Sequence, residues 1–380
     1  MIDYADDETV VELQNRKANG RRVCKADWVL TKSDADANHD GLVMLIHETL
    51  CEIKICFRTE VAPSFALAHS AMPLQAIFFG GDRFCIVLSF DILYKLYILC
   101  LRLQSYPPIS KFLALRSFPE SEDMKGKTVI DITRKIIFTD SLLIAEKSDQ
   151  TVFKSAIFYL LAHEYAHIAH GHLDFLSSTY FAEFRNADEY LITINALEMD
   201  ADASAAALLL DHFFSHKIEL ALTGSSEVSI EFKKTAIFRR TVFGIFCCIL
   251  FSDTLLIVNN PKEHPITYIR YVIVSSVLRN ISEKYGMSAI RTVCEEIREN
   301  LVEAFRILSG DIQSLHHPLA GNMKFYGEEF SLGNSEYHEL GEIMAYEKIE
   351  PLLGRWARIR PTLETFLRGG KLAPAMVPPL

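Results

Sequence analysis

A helical pattern of apolar positions begins near Asp149 and continues through TVFKSAIFYLLAHEYAHIAH. Asp149 is a suitable N-cap for this helix, and Gly171 is a suitable residue to end it. A second helix is predicted over residues 187 to 214. Most of the chain after it is helical in pattern as well, with interruptions at TGSSE, NNPKEHP and EKYG.

Shorter apolar runs predict a few strands. FCIVLSF, residues 84 to 90, follows the turn sequence GGDR, and TVIDIT and KIIFT precede the long helix. KSDADANHDG and FPESEDMKGK are polar and predict loops, while the terminal GGKLAPAMVPPL predicts a disordered tail. Together these elements predict an α+β fold that is mainly helical.

One apolar run is long enough to raise the question of a membrane span. VFGIFCCILFSDTLLIV, residues 242 to 258, is about as long as the shortest spanning helices, which need roughly 17 residues. Asp253 interrupts the run, and an unpaired carboxylate there costs about 2.5 kcal/mol or more in lipid. The run therefore predicts a buried core helix, with a membrane span as the alternative.

Composition and charge narrow the functional classes. Apolar residues make up 49% and charged residues 23% of the 380-residue chain, as in ordinary globular proteins. The net charge of −10 argues against a nucleic-acid partner, because that binding depends on neutralising phosphates. The start is acidic and unlike a secretory signal, and none of the eight cysteines forms a CxxC pair. These features favour a cytoplasmic protein.

The strongest chemical signal lies within the long helix. His163-Glu164-Tyr165-Ala166-His167 is an HExxH motif. Residues four apart lie on one face of a helix, so two imidazoles can hold one Zn²⁺ while the glutamate beside them serves as general base. Without a metal the same histidines would be surface or core residues.

A catalytic zinc needs a third protein ligand and an open position. Glu198 in ALEMDADASAA is the best candidate, and Asp202, one turn further, can accept the outer N–H of a ligating histidine. His170 is a turn too far along its helix, and His172 lies beyond the predicted helix end. These two histidines are expected to be polar or capping residues. Glu198 could instead be an exposed helix carboxylate.

Three segments in combination resemble the gluzincin class of zinc metallopeptidases. HEYAHIAHGH is similar to the HExxHxxxGH form of the HtpX-like and CAAX-protease peptidases, and EMDADASA to their ExxADxxA segment. HPITYIR, which begins at His264 and ends at Arg270, resembles their later His-Pro motif. Lit-type phage-exclusion peptidases show a looser likeness. The resemblance covers about residues 130 to 275.

The resemblance implies a zincin-like catalytic core at residues 126–275, with a small sheet packed on the HExxH helix and a second ligand-bearing helix. Residues 1–125 would form an N-terminal mixed α/β region and residues 276–380 a helical C-terminal region with a disordered tail. An edge strand would bind the substrate. We expect it at residues 134–139, which lead directly into the HExxH helix. The segment from Gln75 to about residue 94 has a similar strand–turn–helix pattern earlier in the chain.

The predicted function is a zinc-dependent endopeptidase that acts on a protein or peptide substrate. Glu164 would be the base, and His264 would stabilise the oxyanion unless it only shapes a turn before Pro265. Arg270 would support the ligands or be a surface charge. The alternatives are a regulatory or toxin-like binding module that keeps the zinc fold, and a membrane-integrated peptidase that uses residues 242–258.

Overall fold

A computed structural model describes most of the chain, including much of the predicted catalytic core. The described residues are 3–15, 17–18, 21–22, 29–68, 75–90, scattered positions between 92 and 113, 151–182, 187–222, 227–256, 267–284, 296 and 335–374. The predicted strands TVIDIT and KIIFT, Asp149 and His264 lie outside them.

The described elements are mostly helices, which confirms the mainly helical α+β prediction at that level. The helices are α1 (Asp7–Asn15), α2 (Lys32–Phe57), α3 (Thr151–Ala169), α4 (His172–Ser177), α5 (Thr179–Ala182), α6 (Ala187–Leu222), α7 (Glu227–Leu256), α8 (Thr267–Lys284) and α9 (Ser335–Leu363). The strands are β1 (Lys17–Ala18), β2 (Arg21–Arg22), β3 (Ser64–Ala68), β4 (Gln75–Gly80) and β5 (Arg83–Ser89).

The larger sheet has three strands in the order β3-β5-β4. β5 pairs parallel with β3 and antiparallel with β4. Gly80 and Gly81 join β4 to β5 and have φ values of 108° and 61°, a conformation that suits glycine. β4 is therefore an edge strand among the described residues, and it packs against α3 and α4.

Helix α3 carries the HExxH motif and is buried along most of its length. It begins at Thr151 and ends at Ala169, and Gly171 follows with a φ of 71°. This left-handed residue is the predicted helix stop. A Cβ at Gly171 would lie 2.2 Å from the carbonyl oxygen of Phe366, so both backbone conformation and space require glycine.

Helix α7 packs along α3 and contains residues 242–256 of the apolar run that could have been a membrane span. A Cβ at Gly244 would lie 2.4 Å from the carbonyl oxygen of Val152, which shows how closely the two helices approach. Residues 242 to 249 are buried, as predicted for a core helix. Within the described residues, no helix has the length and apolar character needed to cross a membrane.

Two polar segments are more ordered than their composition predicts. KSDADANHDG does not form the predicted loop but the first turns of α2, because Thr31 caps this helix by accepting from the Asp34 N–H. The residues after α9 are described as far as residue 374, and Leu372 is buried. The expected disorder of the tail therefore does not extend to residues 369–374.

Candidate metal centre

His163 and His167 face each other on one side of α3. Their Nε2 atoms are 3.2 Å apart, and the two residues are only 7% and 8% exposed. The separation of four residues aligns their side chains along the helix, as the motif predicts. Two imidazoles thus offer nitrogen atoms to the same small volume.

Glu198 reaches this volume from α6. Its Oε2 atom is 3.2 Å from His163 Nε2, and its Oε1 atom is 3.4 Å from His167 Nε2. Two atoms bound to one tetrahedral zinc ion at about 2.0–2.1 Å are about 3.3 Å apart. The observed separations are close to that value, and the ligand atoms of the three residues all lie within 4.8 Å of one another, so this group could hold a metal ion.

Asp202 lies on the far side of His163 and holds its ring. The Asp202 Oδ1 atom is 2.9 Å from His163 Nδ1 and accepts from the Tyr159 hydroxyl at 2.7 Å. Arg270 donates to both carboxylate oxygens at 2.7 Å. Burial opposes ionisation, but Arg270 and His163 outweigh it and keep the pKa of Asp202 well below its usual range.

The electrostatics of the centre favour a cation between the two imidazoles. Because the ionised Asp202 only accepts, Nδ1 of His163 carries a proton in either charge state, and in the neutral ring the Nε2 lone pair faces Glu198 and His167. Burial alone would lower the pKa of His163, but hydrogen bonds and charges from Asp202 and Glu198 raise it to about 10. A proton or a metal ion can supply the positive charge that this arrangement demands.

Glu164 lies beside the three residues and contacts the sheet. Its Oε2 atom accepts from the Ala76 backbone N–H at 2.7 Å. Ala76 is in the edge strand β4, opposite Ile86 of β5, so this N–H points away from β5 and toward α3. The contact brings the outer edge of β4 to the carboxylate of the HExxH motif.

A second buried group, formed by His170, His172 and Asp200, adjoins the first. All three are 0% exposed, and their donor atoms also lie within 4.8 Å of one another. His172 Nδ1 is 3.1 Å from His167 Nδ1, and its Nε2 is 3.2 Å from Asp200 Oδ2. His170 Nδ1 makes a short contact with the same oxygen.

Burial and mutual contacts shift the pKa values of Asp200 and His172. Burial opposes ionisation of Asp200, but His170 and His172 keep its pKa well below the usual range. Burial lowers the pKa of His172, which favours a neutral ring with a single proton. Sequence reasoning missed this group, although HxH and a third carboxylate between Glu198 and Asp202 were visible signals.

The structure thus brings together six of the seven residues that the sequence singled out, namely His163, Glu164, His167, Glu198, Asp202 and Arg270. The seventh, His264, lies outside the described residues, as does the preferred edge strand at 134–139. No protein-family model, curated protein or solved structure significantly matches this chain.

Proposed function

We propose that this chain is a zinc-dependent metallopeptidase that hydrolyses peptide bonds of a protein or peptide substrate. One observation carries the proposal: a buried His-His-Glu group has zinc-sized separations and lies next to the glutamate of its HExxH motif. Three protein ligands and an adjoining carboxylate are typical of catalytic rather than structural zinc sites.

His163, His167 and Glu198 would hold the ion and leave one coordination position for water. Zn²⁺ bound there would lower the pKa of that water to about 7 and polarise the scissile carbonyl. Their nearly complete burial supports catalysis, because charge interactions strengthen where bulk water is excluded.

Glu164 would act as the general base and then as the general acid. Its carboxylate takes a proton from the attacking water and delivers it to the leaving amine nitrogen. The Ala76 N–H holds one of its oxygens from the sheet side, at 2.7 Å. This contact orients the carboxylate, so the proton acceptor does not have to be ordered during the reaction.

The outer edge of β4 would bind the substrate as an added strand. The Ala76 N–H already points outward, and an extended peptide could pair with neighbouring main-chain groups of this edge. A peptide placed there would run past Glu164. The segment 134–139 remains the other candidate for this role.

The sequence resemblance to gluzincin peptidases supports the same reaction and a zincin-like core. All six cysteines among the described residues are free thiols. The rival function, a zinc-fold regulatory or toxin-like binding module, shares the metal group but does not need the base.

The deciding experiment combines metal analysis with the variant Glu164→Gln. Purified protein should contain about one zinc ion per chain. Glu164→Gln should keep the zinc and the fold but lose cleavage of a proteome-derived peptide library, because an amide cannot accept the water's proton. Glu189→Gln, at an exposed position of α6, is the matched control and should cleave normally.

Two outcomes would count against the proposal. Cleavage by Glu164→Gln at the wild-type rate would remove Glu164 from the mechanism. Zinc binding without any cleavage by the wild-type protein would favour the binding module.

A further inference from the structure

Metal binding by His167 requires a particular placement of its single proton. If Nε2 faces the ion, as its distances to His163 and Glu198 indicate, the proton of the neutral ring must be on Nδ1. Metal-ligating histidines nearly always donate this outer N–H to a protein acceptor. For His163 that acceptor is Asp202.

The neighbour of His167 Nδ1 is another imidazole. His172 Nδ1 lies 3.1 Å away, and one of the two nitrogens must donate while the other accepts. If His172 donated, His167 would carry its proton on Nε2 and lose the lone pair that a metal needs. His172 must therefore accept through Nδ1 and carry its own proton on Nε2.

Asp200 favours the His172 tautomer that carries its proton on Nε2. Its Oδ2 atom is 3.2 Å from His172 Nε2, close enough for electrostatic attraction although the contact is not aligned as a good hydrogen bond. The Oδ2 atom also accepts from His170, and Oδ1 accepts from the Ala373 N–H at 2.6 Å. An ionised carboxylate that only accepts hydrogen bonds stabilises the His172 proton on the side away from His167.

The donor atoms of this group are directed at their protein neighbours. His170 Nδ1 contacts Asp200 Oδ2 directly. His172 Nδ1 is directed at His167. The remaining buried nitrogen, His170 Nε2, faces Gly370, where even a Cβ atom would lie at 3.0 Å.

We propose that Asp200 and His172 are positioning residues. They hold His167 in the neutral tautomer that carries its proton on Nδ1 and presents Nε2 to the metal. The proposal rests on the metal centre described above but not on peptidase activity. The C-terminal segment, residues 364–374, also supports the centre. The Ala373 N–H donates to Asp200, and the Arg368 and Gly369 N–H groups donate to the Ala169 carbonyl.

The sharpest test is the isosteric variant Asp200→Asn, measured by zinc competition against a chromophoric chelator. An amide donor facing His172 would move the His172 proton toward His167. We expect zinc affinity to fall on the order of 10- to 100-fold, as when outer partners of ligands are lost, with one zinc per chain in the wild type. His170→Leu, which loses a contact to Asp200 but none to His167, is the control and should change affinity far less.

Two substitutions at His172 test the proposal even if the Asp200→Asn variant does not fold. His172→Asn places an oxygen near the Nδ1 position, so it should restore an acceptor for His167 and retain most of the affinity. His172→Leu has no acceptor and should lose affinity as Asp200→Asn does. Histidine-ring ¹⁵N spectra of the zinc-loaded wild type should show His172 protonated on Nε2.

Several results would overturn the proposal. One is wild-type zinc affinity in both Asp200→Asn and His172→Leu while His167→Ala fails to bind. Another is a His172 proton on Nδ1. Two zinc ions per chain, one of them lost in Asp200→Asn, would instead identify a second metal site. Full zinc retention in His163→Ala and His167→Ala would refute the underlying metal centre as well.

Discussion

The substitution Asp202→Ala tests both the stability of the fold and the orientation of a metal ligand. Asp202 is completely buried and accepts from His163, Tyr159 and Arg270. Arg270 is only 4% exposed, so loss of the carboxylate would leave a buried guanidinium without its counter-charge. Breaking a buried pair in this way costs about 3–5 kcal/mol.

The same substitution should weaken zinc binding by a separate route. His163 would lose the acceptor that fixes its proton on Nδ1 at 2.9 Å. Lost outer partners of metal ligands typically reduce affinity on the order of 10- to 100-fold. That range corresponds to about 1.4–2.7 kcal/mol of binding free energy.

The double variant Asp202→Ala/Arg270→Met separates the two effects. It removes the buried cation together with its partner, so much of the lost free energy of unfolding should return. His163 still lacks its acceptor, so zinc affinity should remain as low as in the single variant. Urea unfolding in EDTA measures the first quantity, and competition against a chromophoric chelator measures the second.

Either of two results would contradict these expectations. Destabilisation of less than about 1 kcal/mol by Asp202→Ala, a value typical of exposed ion pairs, would contradict the buried-pair argument. Recovery of wild-type zinc affinity in the double variant would show that the carboxylate does not orient His163 and that the single variant bound poorly because it was unstable.

Three further predictions concern the packing and the third ligand. Gly171→Ala should destabilise the fold by about 1–2 kcal/mol from its left-handed backbone and by about 1–3 kcal/mol more from overpacking against the C-terminal segment; unchanged thermal stability would contradict this. Gly244→Ala should also lower the melting temperature, because its Cβ would lie 2.4 Å from the Val152 carbonyl oxygen. Gly354→Ala is the control, because a Cβ there would have no atom within 4 Å. It should stabilise the fold by up to about 1 kcal/mol. Glu198→Ala should weaken zinc binding severely in a chelator titration, and retained affinity would exclude it as the third ligand.

Local signals predicted the two helices that carry the centre. The apolar pattern and Gly171 placed the end of α3 correctly, because a left-handed residue there serves as a helix stop regardless of the rest of the fold. The spacing of four between Glu198 and Asp202 put both carboxylates on one face of α6. The structure has them on either side of His163, as that spacing indicated.

The sequence did not predict the contacts between segments that are far apart along the chain. The Ala76 N–H that meets Glu164 is a main-chain group, and nothing in a residue's identity shows where its backbone will point. The Ala373 N–H that meets Asp200 is of the same kind, and it lies in a segment whose Gly and Pro content predicted disorder. Hydrogen bonds and burial of Leu372 order this segment in spite of its composition.

The break at Gly171 also explains how the two buried polar groups join into one network. In an unbroken helix, residues five apart lie about 140° from each other around the axis, so His172 would point away from His167. Because α3 ends and α4 begins at His172, the two Nδ1 atoms come within 3.1 Å. On α6, Asp200 lies between Glu198 and Asp202 and faces a different side of the helix. It therefore lies beside His172, and the alternating carboxylates of α6 contact both the candidate metal ligands and the neighbouring His172.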